Sequence, residues 1–417
     1  MKRKAGHSMK KSNTINTDEN VSAQERPVNK GRRGRRKGLS TGKIIAISII
    51  LVIYVLILVA VSLFVFYKPS VKTLPKTYVE YITDTNGNII ETIIHELEFD
   101  EEKSESYNIL VLGHDRAAML TDVFMLVNID NLTHDITVMQ IPRDTYIANH
   151  DGLNIATNKI NALFSTYYYK YYRSGKSQND SYKMALSSVA DDLERTLAVD
   201  IDFSAIMDLD GFRNIVDALG GVEMNVSRPM YYNDPGQGLY INIPAGYQTL
   251  NGEQAEGFVR YRYGYATADL GRQNAQKQFM AALMKKAKSS LSISNIDQLT
   301  EIAKQVITYV DTDMSVADLM YFGKAILRCD LEDMNMFTMP GNLSNSYFVM
   351  NRAGVKKKMN EHYYRYEGSI PESMFDANTI FNCPSNSYMS AAYYKPADQV
   401  YDDGVFNGEN AGDIWIN

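Results

Sequence analysis

"YNILVLGHDRAAMLTDVFMLVNIDNLTHDITVMQIPRD", Tyr107 to Asp144, decides the fold. Its first seven residues, Tyr107 to Gly113, form an apolar run that opens into a polar loop, which reads as a buried strand. "DVFMLVNID" and "DITVMQIPRD" follow, joined by Asn131 to His134. Two apolar strands about four residues apart read as an antiparallel hairpin. Pro142 has no backbone donor and marks a strand end or edge.

Helical periodicity lies outward from this stretch. Leu186, Val189, Ala190, Leu193 and Leu197 recur at helix spacing, as do Phe212, Ile215, Val216 and Leu219. Gly220-Gly221 ends the second helix where a left-handed residue is needed. "VEMNV" restarts a strand, and a helix continues past Gln276 through Phe279 and Leu283. Leu299, Ile302, Ala303, Val306, Ile307 and Val310 mark another helix. Ser315 and Asp318 have capping-box spacing at the start of the next. "MNMFTMPG" reads as a late, Met-rich core strand. Strands mixed with helices imply an α/β fold, a sheet covered by helices on both faces.

The N-terminal part differs in kind. Residues 1–43 carry thirteen Lys/Arg and three acids, so the formal charge of −6 leaves the rest at about −16. This tail is polar and reads as disordered and cytoplasmic. Residues 44–67, "IIAISIILVIYVLILVAVSLFVFY", hold no charge over 24 positions, enough to span a hydrocarbon core of about 30 Å. No small-residue cleavage site follows, so this is a retained signal anchor with the N-terminus inside and the main domain outside. The run "GRRGRRKG" is then a topology signal, and no nucleic-acid partner is implied. Residues 68–105 form a stalk with a small strand pair around the hairpin signal "TDTNGN". Residues 106–366 are the main domain, and 367–417 an Asn/Ser/Tyr/Asp-rich extension without a clear pattern. Cys329 and Cys383 lie on the exported side; a disulfide and a buried free thiol at Cys329 are equally compatible with their context.

Candidate chemistry gathers in two clusters. "VRYRYGYATADLGRQNAQ", Val259 to Gln276, reads as a strand followed by a helix. Alternation puts Arg260 and Arg262 on one face of the strand, and Asp269 is placed to cap the helix. Arg272 and Gln276 are four apart on that helix. Three guanidiniums and an amide suit phosphate oxygens, although an ion-pair network with this domain's acids fits the same residues. Asp115 and Asp122 sit in the loop after the first strand, where ligand sites form in α/β sheets, and Arg143 leaves a neighbouring strand end. Beside a polyphosphate the two carboxylates suit Mg²⁺. His114 reads as a solvated or hydrogen-bonded loop residue rather than a ligand. "STYYYKYYRSGK", Ser165 to Lys176, reads equally as a sugar- or membrane-facing segment and as an amphipathic surface helix.

Taken in order, "YNILVLGHDR…TDVFMLVNID", "VMQIPRDTYI", "NKINALF", "VDALGGVEMNV", "LNGEQAEGFVRYRY" and "DLGRQNAQKQ" resemble the LytR–CpsA–Psr family of membrane-anchored cell-wall transferases. The resemblance covers residues 105 to 290 closely and extends to about 365. It implies a three-layer α/β/α sandwich with a mixed central sheet, preceded by one N-terminal transmembrane helix, and an apolar tunnel for a lipid tail. It implies an enzyme, a phosphotransferase moving a glycopolymer (teichoic acid or capsular polysaccharide) from a polyprenyl-pyrophosphate carrier to a peptidoglycan hydroxyl. The cofactor is Mg²⁺ or Mn²⁺. By motif position Asp115 and Asp122 bind the metal. Arg143, Arg260, Arg262, Arg272 and Gln276 hold the pyrophosphate, with Asp269 before the helix-start "GR" and Arg116 a further candidate. Asp122, Asp115 and Arg143 are the catalytic set, with one of the two aspartates as base. The resemblance is imperfect: His114 replaces the usual Thr, Arg116 directly follows Asp115, the loop to Asp122 is short, and Ala275 replaces a second helix arginine. Two other readings use the same residues, a non-catalytic binder or sensor of lipid-linked polymer and a polyprenyl-pyrophosphate hydrolase. No Ser-His or Cys-His arrangement supports a covalent protein nucleophile.

Overall fold

The computed structural model describes residue 55 and residues 67–393, apart from 73–76, 116–118, 156, 264, 266–268, 291–295, 332–333, 345, 377–379 and 382–388. The chain divides into two units, Met1–Ser62 and Leu63–Asn417. No helix among the described residues is long and apolar enough to cross a membrane, and the anchor expected at 44–67 lies outside them except for Val55 and Tyr67.

The second unit is built on a six-stranded mixed sheet. Its centre is the opening stretch: β3 (Ser106–His114), β4 (Thr121–Asp130) and β5 (Asp135–Gln140), antiparallel neighbours in sequence order. β6 (Phe203–Asp208) adds parallel to β3, and β12 (Asn335–Thr338) parallel to β5. β11 (Asp311–Thr312) closes the β6 edge. Alternation along the strands then sorts side chains into layers. Leu110, Leu112, Phe124 and Leu126 join one apolar cluster with the helices Leu163–Arg173, Gln178–Leu197 and Arg352–His362. Tyr107, Ile109, Met125 and Ile129 point to the other face, where the helix Val316–Arg328 packs. Both faces are covered, as the pattern of strands and helices implies.

The expected stops and caps are in place. Gly220 and Gly221 have φ of 80° and 84° after the helix Leu209–Ala218. Ser315 and Asp318 form a reciprocal capping box. In the hairpin of β1 (Thr77–Thr83) and β2 (Ile89–Glu96), Asp84 accepts hydrogen bonds from the Asn86 and Asn88 amides at the turn. A further subdomain, absent from the strand-and-helix reading beyond "VEMNV", pairs β7 (Val222–Val226) with β10 (Gly246–Leu250), and β8 (Met230–Asp234) with β9 (Leu239–Ile243). Both hairpins share a core with Phe258 and Phe279.

Two of the expected domain edges shift. Residues 67–72 are not a free stalk: the Tyr67 hydroxyl donates to Asp318, and the Lys72 amide donates to Asp202. At the other end Phe375, Ile380, Phe381, Met389 and Tyr393 are buried in the main core. The domain therefore extends past 366, because polar-rich composition concealed widely spaced aromatic anchors. Cys329 is buried with a free thiol, and burial pushes that thiol up to about 11; Cys383 lies outside the described residues.

Candidate active site

Strand direction assembles the site. β5, β6 and β12 run parallel to β3, so all four end at one edge of the sheet, and antiparallel β4 begins there. Ligands of open α/β sheets bind outside such carboxyl ends. Asp115 follows β3 directly, Asp122 is the second residue of β4, and Arg143 lies three residues beyond β5. The β3–β4 turn is closed by the Asp115 amide donating to Leu120 O at 2.9 Å. The Leu120 amide in turn donates to Asp115 Oδ1 at 3.3 Å.

A bulge aims Asp122. Gly113 pairs with Val123 and His114 with Thr121, which leaves Asp122 as the extra residue between them. An unpaired bulged residue bends its strand and redirects its side chain. The Asp122 carboxylate, 34 % exposed, receives a hydrogen bond from Arg143 Nη1 at 2.8 Å. Asp144 lies 3.9 Å from Arg143 Nε and accepts from Lys159 Nζ at 2.9 Å. Two cations and two carboxylates thus alternate at the rim, with Asp115 close by in sequence and on the same edge.

His114 orders the turn behind them. Its Nδ1 donates to Asp115 O, so in the neutral ring Nε2 accepts from the Tyr182 hydroxyl; both contacts are 2.6 Å. Burial of Tyr182 raises its phenol well above the usual range and keeps that donor protonated. The ring is 8 % exposed, which bears out the hydrogen-bonded reading of His114. The helix Leu163–Arg173 is the amphipathic one expected: Tyr167 and Tyr168 are buried, while Tyr169 and Tyr172 face solvent.

The arginine segment differs from its reading as a strand. Gly252–Arg260 is a helix, started by an Asn251/Gln254 capping box, and Arg260 is its last residue. Local capping and the helical Glu256–Arg260 pair outweigh the strand preference of the alternating tyrosines. Arg260 Nη1 donates to buried Glu256 at 2.7 Å, and Arg213 Nε lies 3.2 Å from the same carboxylate. Arg260 and Arg262 therefore do not share a strand face; Arg262 is exposed beyond the helix end. The ion-pair alternative describes Arg260.

Asp269 is the first residue of the helix Asp269–Ser290 rather than its preceding cap. Arg272 is buried in that helix's first turns. Gly271 is required there, because a Cβ would lie 2.4 Å from Tyr265 Cβ. Gln276 accepts from Gln140 Nε2 at 2.6 Å and donates to Val259 O at 3.2 Å. Its amide thus joins this helix to the end of β5. Arg116 lies outside the described residues.

Several residues at this edge escaped the sequence reading. Lys277 is 1 % exposed and donates to Thr338 Oγ1 at the end of β12, 3.3 Å away. Asp208 ends β6 opposite His114 and caps the next helix through the Gly211 amide. Lys159 and Gln140 lie inside "NKINALF" and "VMQIPRDTYI" but had no periodic signal that singled them out. His150, Asp151 and Asp192 bring ligand atoms within 4.8 Å of one another. Arg195 bridges those two carboxylates and supplies the positive charge a metal would bring.

The residues at the sheet edge fit a hard divalent cation. Asp115 and Asp122 offer only oxygen, and among the described residues Asp122 Oδ2 makes no hydrogen bond. Mg²⁺ takes one or two carboxylates and completes its shell with phosphate and water.

Residues 75–369, most of the chain, match the model of the LytR_cpsA_psr family. The chain belongs to this family. Among its relatives, the polyisoprenyl-teichoic acid–peptidoglycan teichoic acid transferase TagV of Bacillus subtilis is 25% identical over 279 residues, 62% of this chain and 65% of TagV. The cell wall biosynthesis protein LcpA of Corynebacterium glutamicum is 32% identical over 202 residues, 46% of this chain and 38% of LcpA. The matches thus span less than two thirds of either relative. The crystal structure of protein gbs0355 from Streptococcus agalactiae shares the fold at 20% identity, with a TM-score of 0.51, over 65% of this chain and 93% of that one.

Proposed function

We propose that this LytR_cpsA_psr protein is a membrane-anchored, exported transferase. It moves an anionic glycopolymer from a polyprenyl-pyrophosphate carrier to a sugar hydroxyl of peptidoglycan. One observation carries the reading: bulged Asp122 bonds Arg143 at the carboxyl edge of the sheet, Asp115 follows β3 on the same edge, and the arginine-bearing helix Asp269–Ser290 is joined to that edge through Gln276. The names of TagV and LcpA support the same reading. The charge-free segment 44–67 serves as the single-pass anchor, with the basic tail inside.

In the reaction a sugar oxygen forms a bond to the polymer's phosphorus, and the bond to the lipid phosphate breaks. Such transfer asks mainly for positioning and charge neutralisation. Arg143 presents its guanidinium at the rim, and exposed Arg262 and buried Arg272 stand on either side of residues 264–268 in the chain; these three hold the pyrophosphate oxygens. Asp115 and Asp122 would hold Mg²⁺, which when bound would neutralise charge on the phosphates. One of these carboxylates takes the proton of the acceptor hydroxyl. Arg260 and Gln276 hold the helices that carry the other groups.

The test uses the full chain in detergent with a polyprenyl-pyrophosphate oligosaccharide, peptidoglycan fragments and Mg²⁺, with products weighed by mass spectrometry. A sugar-phosphate adduct on the glycan, lost with EDTA and with Asp122→Ala, is the expected result. Released phosphate without adduct identifies a hydrolase, and bound donor without either product identifies a binder.

A further inference from the structure

The hairpin β8–β9 has one face on an apolar core and one face open. Met230, Leu239, Ile241 and Ile243 are buried in the cluster around Phe258 and Phe279. The opposite face presents Tyr231, Asn233, Tyr240 and Asn242, all exposed. Tyr231 and Tyr240 are 62 % and 59 % exposed. Register arranges them as a checkerboard: Tyr231 lies opposite Asn242, and Asn233 opposite Tyr240. Two rings therefore sit on one diagonal, about 7–8 Å apart at the backbone, with two amides on the other. Among the described residues none of the four side chains makes a hydrogen bond.

This chemistry suits one class of ligand. Tyrosine gives a large, rigid, amphipathic face at low entropic cost, and asparagine gives both a donor and an acceptor. Rings stack on the C–H faces of sugars, while amides pair with hydroxyl and acetamido groups. The outer face carries no charged side chain, so it offers a polyanion no cation and suits a neutral chain. The hairpin is also joined to the candidate active site. On the hairpin's other side Tyr232 stacks at 4.5 Å on Tyr263, the residue after Arg262.

We infer that the outer face of β8–β9 binds the acceptor: a neutral glycan strand of repeating N-acetylated hexosamines, held by Tyr231 and Tyr240 and read by Asn233 and Asn242. The inference deepens the proposed transfer and rests on it for the name of acceptor, while the binding itself is independent of catalysis. The strand would lie across the hairpin and reach the Arg262 loop with its reactive hydroxyl.

The test is calorimetric titration of the full chain in detergent with a β-1,4-linked N-acetylglucosamine hexamer, and separately with poly(glycerol phosphate). The hexamer should bind, and Tyr231→Ala/Tyr240→Ala should weaken it about tenfold or more, two stacking contacts' worth. Tyr231→Phe/Tyr240→Phe should keep most of the affinity, and an unchanged melting temperature in the alanine form shows that the hairpin persists. Equal hexamer binding by wild type and alanine form overturns the inference. So does a loss confined to poly(glycerol phosphate), which would assign the face to the donor polymer. A shift from dimer to monomer in sedimentation with hexamer binding intact would also overturn it, in favour of a second copy of the chain. Tyrosine-dependent hexamer binding in a protein that transfers nothing from the lipid donor would uphold this face and defeat the proposed function instead.

Discussion

Two arginine clusters lie at opposite edges of the same sheet, and they are built differently. At the amino end of β3, Arg365 is 1 % exposed. It donates to Asp202 at 2.7 Å and to Ser106 O at 2.8 Å, with Asp200 3.6 Å away. Asp202 is further held by the Asn108 and Lys72 amides, and Asp200 by the Tyr366 hydroxyl. At the carboxyl end, Arg143 and Asp122 are 18 % and 34 % exposed. The first cluster is closed and pins the segment after residue 67 to the sheet. The second faces solvent and can exchange partners with an incoming phosphate. The lesson is that arginine and aspartate content alone does not identify a site; solvent access to the pair does.

The comparison predicts opposite readouts. Arg365→Met leaves two buried carboxylates without their cation and should cost about 3–5 kcal/mol in denaturant unfolding. Comparable stability in that variant would erase the distinction between the clusters. Asp122→Ala should lower transfer by about 100-fold or more, near 2.7 kcal/mol, while stability stays within about 0.5 kcal/mol of wild type. Arg260→Ala tests where the divide runs. Its partner Glu256 is buried and loses a hydrogen-bonded cation, so stability should fall by about 1–3 kcal/mol. A loss of donor binding without a loss of stability would return Arg260 to the phosphate site.

A smaller effect concerns pH. Burial pulls the His150 imidazole down, but its hydrogen bonds to Asp192 and to Ala148 O outweigh this and hold it above the usual value. A raised folded value means stabilisation that is complete below about pH 6.5 and lost as pH rises through the folded value. Melting temperatures of wild type and His150→Gln should therefore diverge in mild acid and converge in alkali. The least effect on stability belongs to exposed Arg262→Ala, within about 0.5 kcal/mol, so any fall in donor affinity there reports on the site alone.

The fold was legible wherever one element stated its own pattern. The apolar runs of β3, β4 and β5, the helix of Leu186 to Leu197, the Gly220-Gly221 stop and the Ser315/Asp318 box all follow from local periodicity and capping. The stretch from Phe258 to Arg260 was misread because the tyrosine alternation it opens imitates a strand, while the capping box that makes it a helix lies nine residues before Arg260. β8 and β9 were missed because their buried residues alternate over only five positions each, too few to stand out.

By itself the sequence determined the family, the order of the central strands, and the residue types gathered for phosphate chemistry, because these are local patterns and motifs in series. Tertiary structure decided which of those residues meet. The parallel arrangement of β3, β5, β6 and β12 brings their ends to one edge, and a single bulged residue turns Asp122 toward Arg143. Glu256 and Gln140 draw Arg260 and Gln276 into structural roles, and Lys277 and Lys159, which lie inside "DLGRQNAQKQ" and "NKINALF" without a charge partner visible in sequence, are fixed by Thr338 and Asp144. Register, bulges and burial depend on partners distant in the chain, and those contacts decide which charges stay open to a ligand.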